Sequence, residues 1–84
     1  MKHQSHPAIL KRLKRTEGHL RAVIAMLEDQ RPCLDLAQQL HAVEKAVGSA
    51  KRELIHDHLE HCLEGDGADS KTALREMKQL AKYL

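Results

Sequence analysis

Tryptophan and phenylalanine are absent from this sequence and tyrosine occurs once, as Tyr83. The chain therefore lacks the side chains that contribute most buried area to a small core. Its apolar content is Leu, Ala, Val, Ile and Met, mostly good helix formers. A chain of 84 residues buries a limited fraction of its surface, and such chains often add a metal, disulfides or further copies; an oligomer is expected. No apolar run approaches the roughly 20 residues of a membrane span, and no signal-peptide h-region opens the chain, so a cytoplasmic protein is expected. Only two cysteines are present, Cys33 and Cys62. In a reducing compartment they argue against a structural disulfide and for metal or redox chemistry. There is no strand-like alternation, internal repeat or low-complexity segment, and no nucleophile–base–orienter set, so an enzyme is not expected.

Charge is unevenly placed. The formal net charge is only +2, yet residues 1–25 carry Lys2, Lys11, Arg12, Lys14, Arg15 and Arg21 against one acid, Glu17. That excess suits either a solvated cationic helix face or a polyanionic partner.

The hydrophobic spacing predicts one domain of three helices, over about 7–28, 32–64 and 70–83, after a flexible tail of residues 1–6. Pro7 suits the first turn of the first helix, and Ile9, Leu10, Leu13, Leu20, Val23, Ile24 and Leu27 follow at helical spacing. Pro32 reads as the first residue of the second helix. There Leu36, Leu40, Val43, Val47, Ala50 and Leu54 recur at alternating intervals of four and three, a seam for a partner helix. Such a helix is about 50 Å long, more than a lone small domain needs. Gly48 lies within it at a cost of about 1 kcal/mol relative to Ala, which close helix approach would justify. Gly65-Asp66-Gly67 breaks the helix, and Asp69 or Ser70 caps a third carrying Ala73, Leu74, Met77, Leu80, Ala81 and Leu84.

His58 and Cys62 are four apart, hence on one helix face with Cβ atoms about 5–6 Å apart. This suits two ligands of a soft or borderline metal ion. Cys33 opens the same helix and lies about 37 Å from His58 along its axis, so the three cannot meet within one helix. Two copies packed antiparallel about a two-fold axis would bring Cys33 of one to His58 and Cys62 of the other, since the midpoint of Cys33 and Cys62 falls at residues 47–48. Thiolate and imidazole suit Cu(I), Zn(II), Ni(II) or Co(II) rather than Mg(II) or Ca(II). Three ligands fit trigonal Cu(I); a fourth from His3 or His6 would favour Ni(II) or Co(II). His61 points about 100° away from Cys62 and is peripheral, while His19 and His41 read as packed or surface imidazoles.

Arg12-Leu13-Lys14-Arg15-Thr16-Glu17-Gly18-His19-Leu20, Arg31-Pro32-Cys33, Gln38-Gln39-Leu40-His41-Ala42-Val43 and Asp57-His58-Leu59-Glu60-His61-Cys62 together resemble the copper-sensitive operon repressor and nickel/cobalt repressor (CsoR/RcnR) family, over nearly the whole chain. The resemblance implies an all-helical protomer, an antiparallel dimer forming a four-helix bundle, and a dimer of dimers that binds operator DNA without metal and releases it on metal binding. It implies Cys33, His58 and Cys62 as ligands, Glu76 as an acid coupling the site to the DNA-binding conformation, and Arg12, Lys14, Arg15, Lys51 and Arg52 as the DNA-binding surface. Pro32 stands where copper sensors carry a tyrosine, and the Ser5-His6-Pro7 context is similar to the nickel/cobalt branch, with His3 or His6 as fourth ligand. The expectation is a Ni(II)/Co(II)-responsive repressor of metal efflux. A Cu(I)-responsive repressor and a thiol or persulfide sensor using Cys33 and Cys62 are the alternatives.

Overall fold

Residues 5–63 and 70–84 are described by the computed structural model. They form α1 (His6–Glu28), α2 (Cys33–Leu63) and α3 (Ser70–Ala81), the expected all-helical protomer. His3, the Gly65-Asp66-Gly67 break and the Asp69 cap lie outside the described residues.

The helix ends differ from expectation by a residue or two, for local reasons. The Ser5 carbonyl accepts the first helical bond from the Ile9 N–H at 2.9 Å. His6 is therefore the first residue of α1 rather than part of a tail, and Pro7 takes the second position, where its missing N–H costs nothing. The Pro32 carbonyl likewise accepts from the Leu36 N–H at 3.1 Å, so Pro32 stands just before α2 and Cys33 opens it. At the far end, Lys82, Tyr83 and Leu84 bond back three residues to Gln79, Leu80 and Ala81. This tighter turn ends α3 at Ala81, short of residue 83.

The α1–α2 connection closes without glycine. The Gln30 N–H donates to the Leu27 carbonyl and the Arg31 N–H to that of Met26, both at 3.1 Å, the paired bonds of a Schellman ending. Gln30 occupies the left-handed position this ending demands, at φ 56°. A Cβ there costs on the order of 1 kcal/mol, so Gln30→Gly is expected to raise the unfolding free energy by about that amount, read as a higher denaturant midpoint at unchanged m.

α1 and α2 pack as an antiparallel hairpin. The Arg12 guanidinium is hydrogen-bonded through Nη1 to the Glu53 carboxylate and through Nη2 to Ser49 Oγ at 2.9 Å. Farther along, His19 Nε2 and Gln39 Oε1 lie 2.6 Å apart. Among the described residues, Ile9, Val23, Val43, Ala50 and Ile55 are the buried hydrophobic ones. The molecule measures 54 × 23 × 13 Å. Since one helix with its side chains is about 10–12 Å across, the hairpin is a single layer, and only one side of each helix can be covered by the other.

The seam read from α2 consequently divides. Val43 and Ala50 are buried, whereas Leu40, Val47 and Leu54 are 41–47% exposed. On α1, Ile9 and Val23 are buried while Leu13, Leu20 and Leu27 recur every seven residues in the open, flanked by Leu10 and Ile24. Each residue advances 100° around its helix. Counted from the buried contacts, both exposed rows turn to the same side of the hairpin, giving it one apolar face. The other side carries Lys11, Arg15 and Gly18 of α1 with Lys45, Ser49 and Arg52 of α2. On α3, Ala73, Met77 and Leu80 are half-buried while Leu74, like Leu84 beyond the helix end, is exposed. Gly48 is not explained by α1: a Cβ there would meet only its own helix's Arg52 Nη1 at 3.4 Å.

Candidate metal centre and basic face

α2 sets the geometry of the candidate ligands. Cys33 is exposed at its first position. Stepping by seven gives Leu40, Val47 and Leu54, each displaced about 20° from the last, and one further turn gives His58. Cys33 and His58 therefore lie at the two ends of the exposed apolar row, on the same side of α2. The backbone of Cys62 continues the helix one turn beyond His58; its side chain lies outside the described part of the structure. Among the described residues, no three His, Cys, Asp or Glu side chains gather at one point of a single protomer.

His58 is half-buried beneath α3, with Nε2 2.7 Å from Glu76 Oε1. The acid expected to act beside the site is thus in contact with its imidazole. A carboxylate beside a ligating imidazole is a common way to set the orientation of the ring. His61 turns away, with Nε2 3.5 Å from Asp57 Oδ1. This i,i+4 pair was readable from spacing alone. His41 is exposed, 3.8 Å from Glu44.

The hairpin register also places His6. Arg12 lies opposite Glu53, so His6, six residues earlier on α1, is level with Leu59, six residues later on the antiparallel α2 and next to His58. His6 thus stands at the His58 end of its own protomer.

The basic residues separate into two groups. Arg12 is half-buried and tied to Glu53 and Ser49, so its charge is engaged within the hairpin; sequence reasoning missed both partners because the register of two helices is not written in either. Glu17, the single acid of the first helix's basic segment, lies 3.5 Å from Arg21. Arg15 and Arg52 share the side opposite the apolar face, both exposed and without an ion pair among the described residues. Lys14 and Lys51 are exposed but turned away from that side. Beside Arg15 a cleft of about 270 Å³ is lined by Arg12, Arg15, Thr16, His19 and Ala46.

Comparison with known proteins bears on both features. The family model described as "Metal-sensitive transcriptional repressor" matches residues 5–84. The chain is 37% identical over 78 residues to the copper-sensing transcriptional repressor CsoR of Mycobacterium ulcerans, covering 90% of this chain and 67% of that one. It is 39% identical over 69 residues to the copper-sensing transcriptional repressor RicR of Mycobacterium tuberculosis, covering 75% and 72%. Among solved structures, the nickel-responsive transcriptional regulator InrS superposes with a TM-score of 0.84 at 30% identity, over 100% of this chain and 98% of that one. No described helix is long and apolar enough to cross a membrane.

Proposed function

Because this chain belongs to the family of metal-sensitive transcriptional repressors, the CsoR/RcnR family, we propose that it represses through operator DNA in its metal-free form and releases that DNA on binding Ni(II) or Co(II) between two subunits. The observation that carries this reading is the row along one side of α2 on which the exposed Cys33, Leu40, Val47 and Leu54 are followed by the half-buried His58. An apolar row needs a partner. A second copy laid antiparallel on it buries both rows in a four-helix bundle and sets Cys33 of each chain beside His58 and Cys62 of the other.

Bound metal would join a thiolate of one subunit to an imidazole and a thiolate of the next. The remaining steps belong to the chain's own residues. His58 would hold the ion through its imidazole while Glu76 of α3 lies 2.7 Å from Nε2 of the same ring, so a change in ring position would be passed to α3. His6, carried on α1 at the same level, supports a nickel or cobalt set with a nitrogen from the amino-terminal region; His3 is the neighbouring candidate. Engagement of His6 would shift α1, and with it Arg15 on the opposite face. A coupling of about 1–3 kcal/mol between metal and DNA suffices for such a switch. Two dimers would sum their basic faces into a broader phosphate-binding surface. The copper-sensing relatives favour Cu(I) as the second reading of the effector.

Fluorescence anisotropy on a duplex from upstream of the protein's own gene tests this. Metal-free protein should bind, and Ni(II) or Co(II) should release it. Release by Cu(I) alone would assign the copper reading. No binding without metal, or no release by any of the three ions, would overturn the proposal.

A further inference from the structure

The side of α2 that carries Cys33, Leu40, Val47 and Leu54 is apolar apart from the candidate ligands and two charged residues, Glu44 and Lys51. Lys51 follows Cys33 by five whole helical turns, so it points as Cys33 does. Glu44 lies one heptad before Lys51, displaced by about 20°. Both are exposed. They stand about 10 Å apart along the helix axis, beyond the i,i+3 and i,i+4 spacings at which side chains of one helix meet. Lys51 has no ion pair among the described residues, and the printed neighbour of Glu44 is His41 Nδ1 at 3.8 Å. A face that is to be covered cannot hold such charges cheaply unless each finds an opposite one.

The register of an antiparallel pair supplies the partner. Facing positions run in opposite directions, so setting Cys33 of one chain beside positions 58–62 of the other sets Lys51 beside positions 40–44. Of those five residues Glu44 is the one acid. A groove of about 570 Å³ lies at the same place, lined by Ala37, Leu40, His41, Val43 and Glu44. Its apolar part suits the four-carbon stem of a lysine, and Glu44 suits the ammonium at its tip.

We propose that this groove is the seat for Lys51 of a second copy, whose ammonium pairs with Glu44, twice per dimer by symmetry. The proposal rests on the antiparallel dimer of the preceding subsection and names the contact that sets its register. In a parallel pair Lys51 would face its own copy and Glu44 its own, so the same two charges oppose that arrangement. A slip by one helical turn would part each pair by about 5 Å and separate Cys33 from its fellow ligands by as much. Lys51 is thereby a register-setting residue of the dimer and leaves the DNA-binding surface that the resemblance implies.

Charge exchange within the full-length chain tests this. Oligomer dissociation is followed by sedimentation over a concentration series, without metal or DNA. Lys51→Glu and Glu44→Lys should each raise the dissociation constant about tenfold or more, because like charges then face each other twice per dimer. The double variant Lys51→Glu/Glu44→Lys re-forms both pairs with reversed polarity and should return to within about threefold of the wild type. Unchanged dissociation in the single variants, or no recovery in the double variant, would overturn the pair while leaving the dimer standing. Wild-type protein that sediments as monomer throughout would remove the dimer itself, and the pair with it. Operator binding by the double variant should keep the wild-type salt slope; a fall of about one or more in that slope would assign Lys51 to phosphate and refute the proposal.

Discussion

Cys33→Ser is expected to abolish the metal response and leave operator binding intact. Cys33 is exposed at the start of α2, and an exposed substitution of this size changes stability by no more than about 0.5 kcal/mol. Its loss is therefore chemical. Serine is a hard and poorly ionised donor where a soft thiolate is needed. Altering a group that merely supports a ligand costs about 10–100-fold in metal affinity, so losing a ligand itself should cost about 100-fold or more, at least about 2.7 kcal/mol. The variant should occupy its operator at metal concentrations that empty the wild type. Normal release by Cys33→Ser in the anisotropy experiment would remove Cys33 from the site.

Val47→Glu has the larger effect on the molecule as a whole. Val47 sits midway along the exposed row of α2 and close to the midpoint between Cys33 and Cys62, where a two-fold axis brings it against its own copy. Each chain loses the roughly 1.5–3 kcal/mol of a buried aliphatic side chain, and two carboxylates must desolvate against each other at a further cost of several kcal/mol per ion. A protomer with five buried hydrophobic residues among those described has little to fall back on. Sedimentation should show monomer in place of the oligomer, and circular dichroism a large loss of helix. Mixing Val47→Glu with Val47→Lys should restore the oligomer, because the two charges then pair at the axis. A Val47→Glu protein that stays oligomeric and fully helical would mean the face is not the interface.

How much of this was legible beforehand follows from what each feature depends on. The three helices were, because aliphatic spacing and two prolines mark them within the chain itself. The separation of Cys33 from His58 was also legible, because helical rise is fixed. The division of the α2 seam was not: Val43 and Ala50 face α1 while Leu40 and Val47 do not, and that depends on the side from which α1 approaches. The Arg12–Glu53 pair needed the register of the hairpin, which neither helix carries by itself. The His58–Glu76 contact depends on how α3 docks, and the resemblance to known repressors suggested it where spacing did not. Gln30 gave no glycine signal for its left-handed turn; the nearby Pro32 marked the boundary instead.

The central claim is that the metal site is made by two chains, and mixing two inactive variants tests it most directly. Cys33→Ser and Cys62→Ser each break every site in their own homodimers and leave the His58–Glu76 contact in place. In a mixed dimer, Cys33 of the second variant meets His58 and Cys62 of the first, so one of the two sites is whole. After unfolding, equal mixing and refolding, random pairing should restore about one quarter of the wild-type metal-binding capacity, read as thiolate-to-metal charge transfer under anaerobic titration. A mixture that binds no more metal than the separate variants would contradict the account.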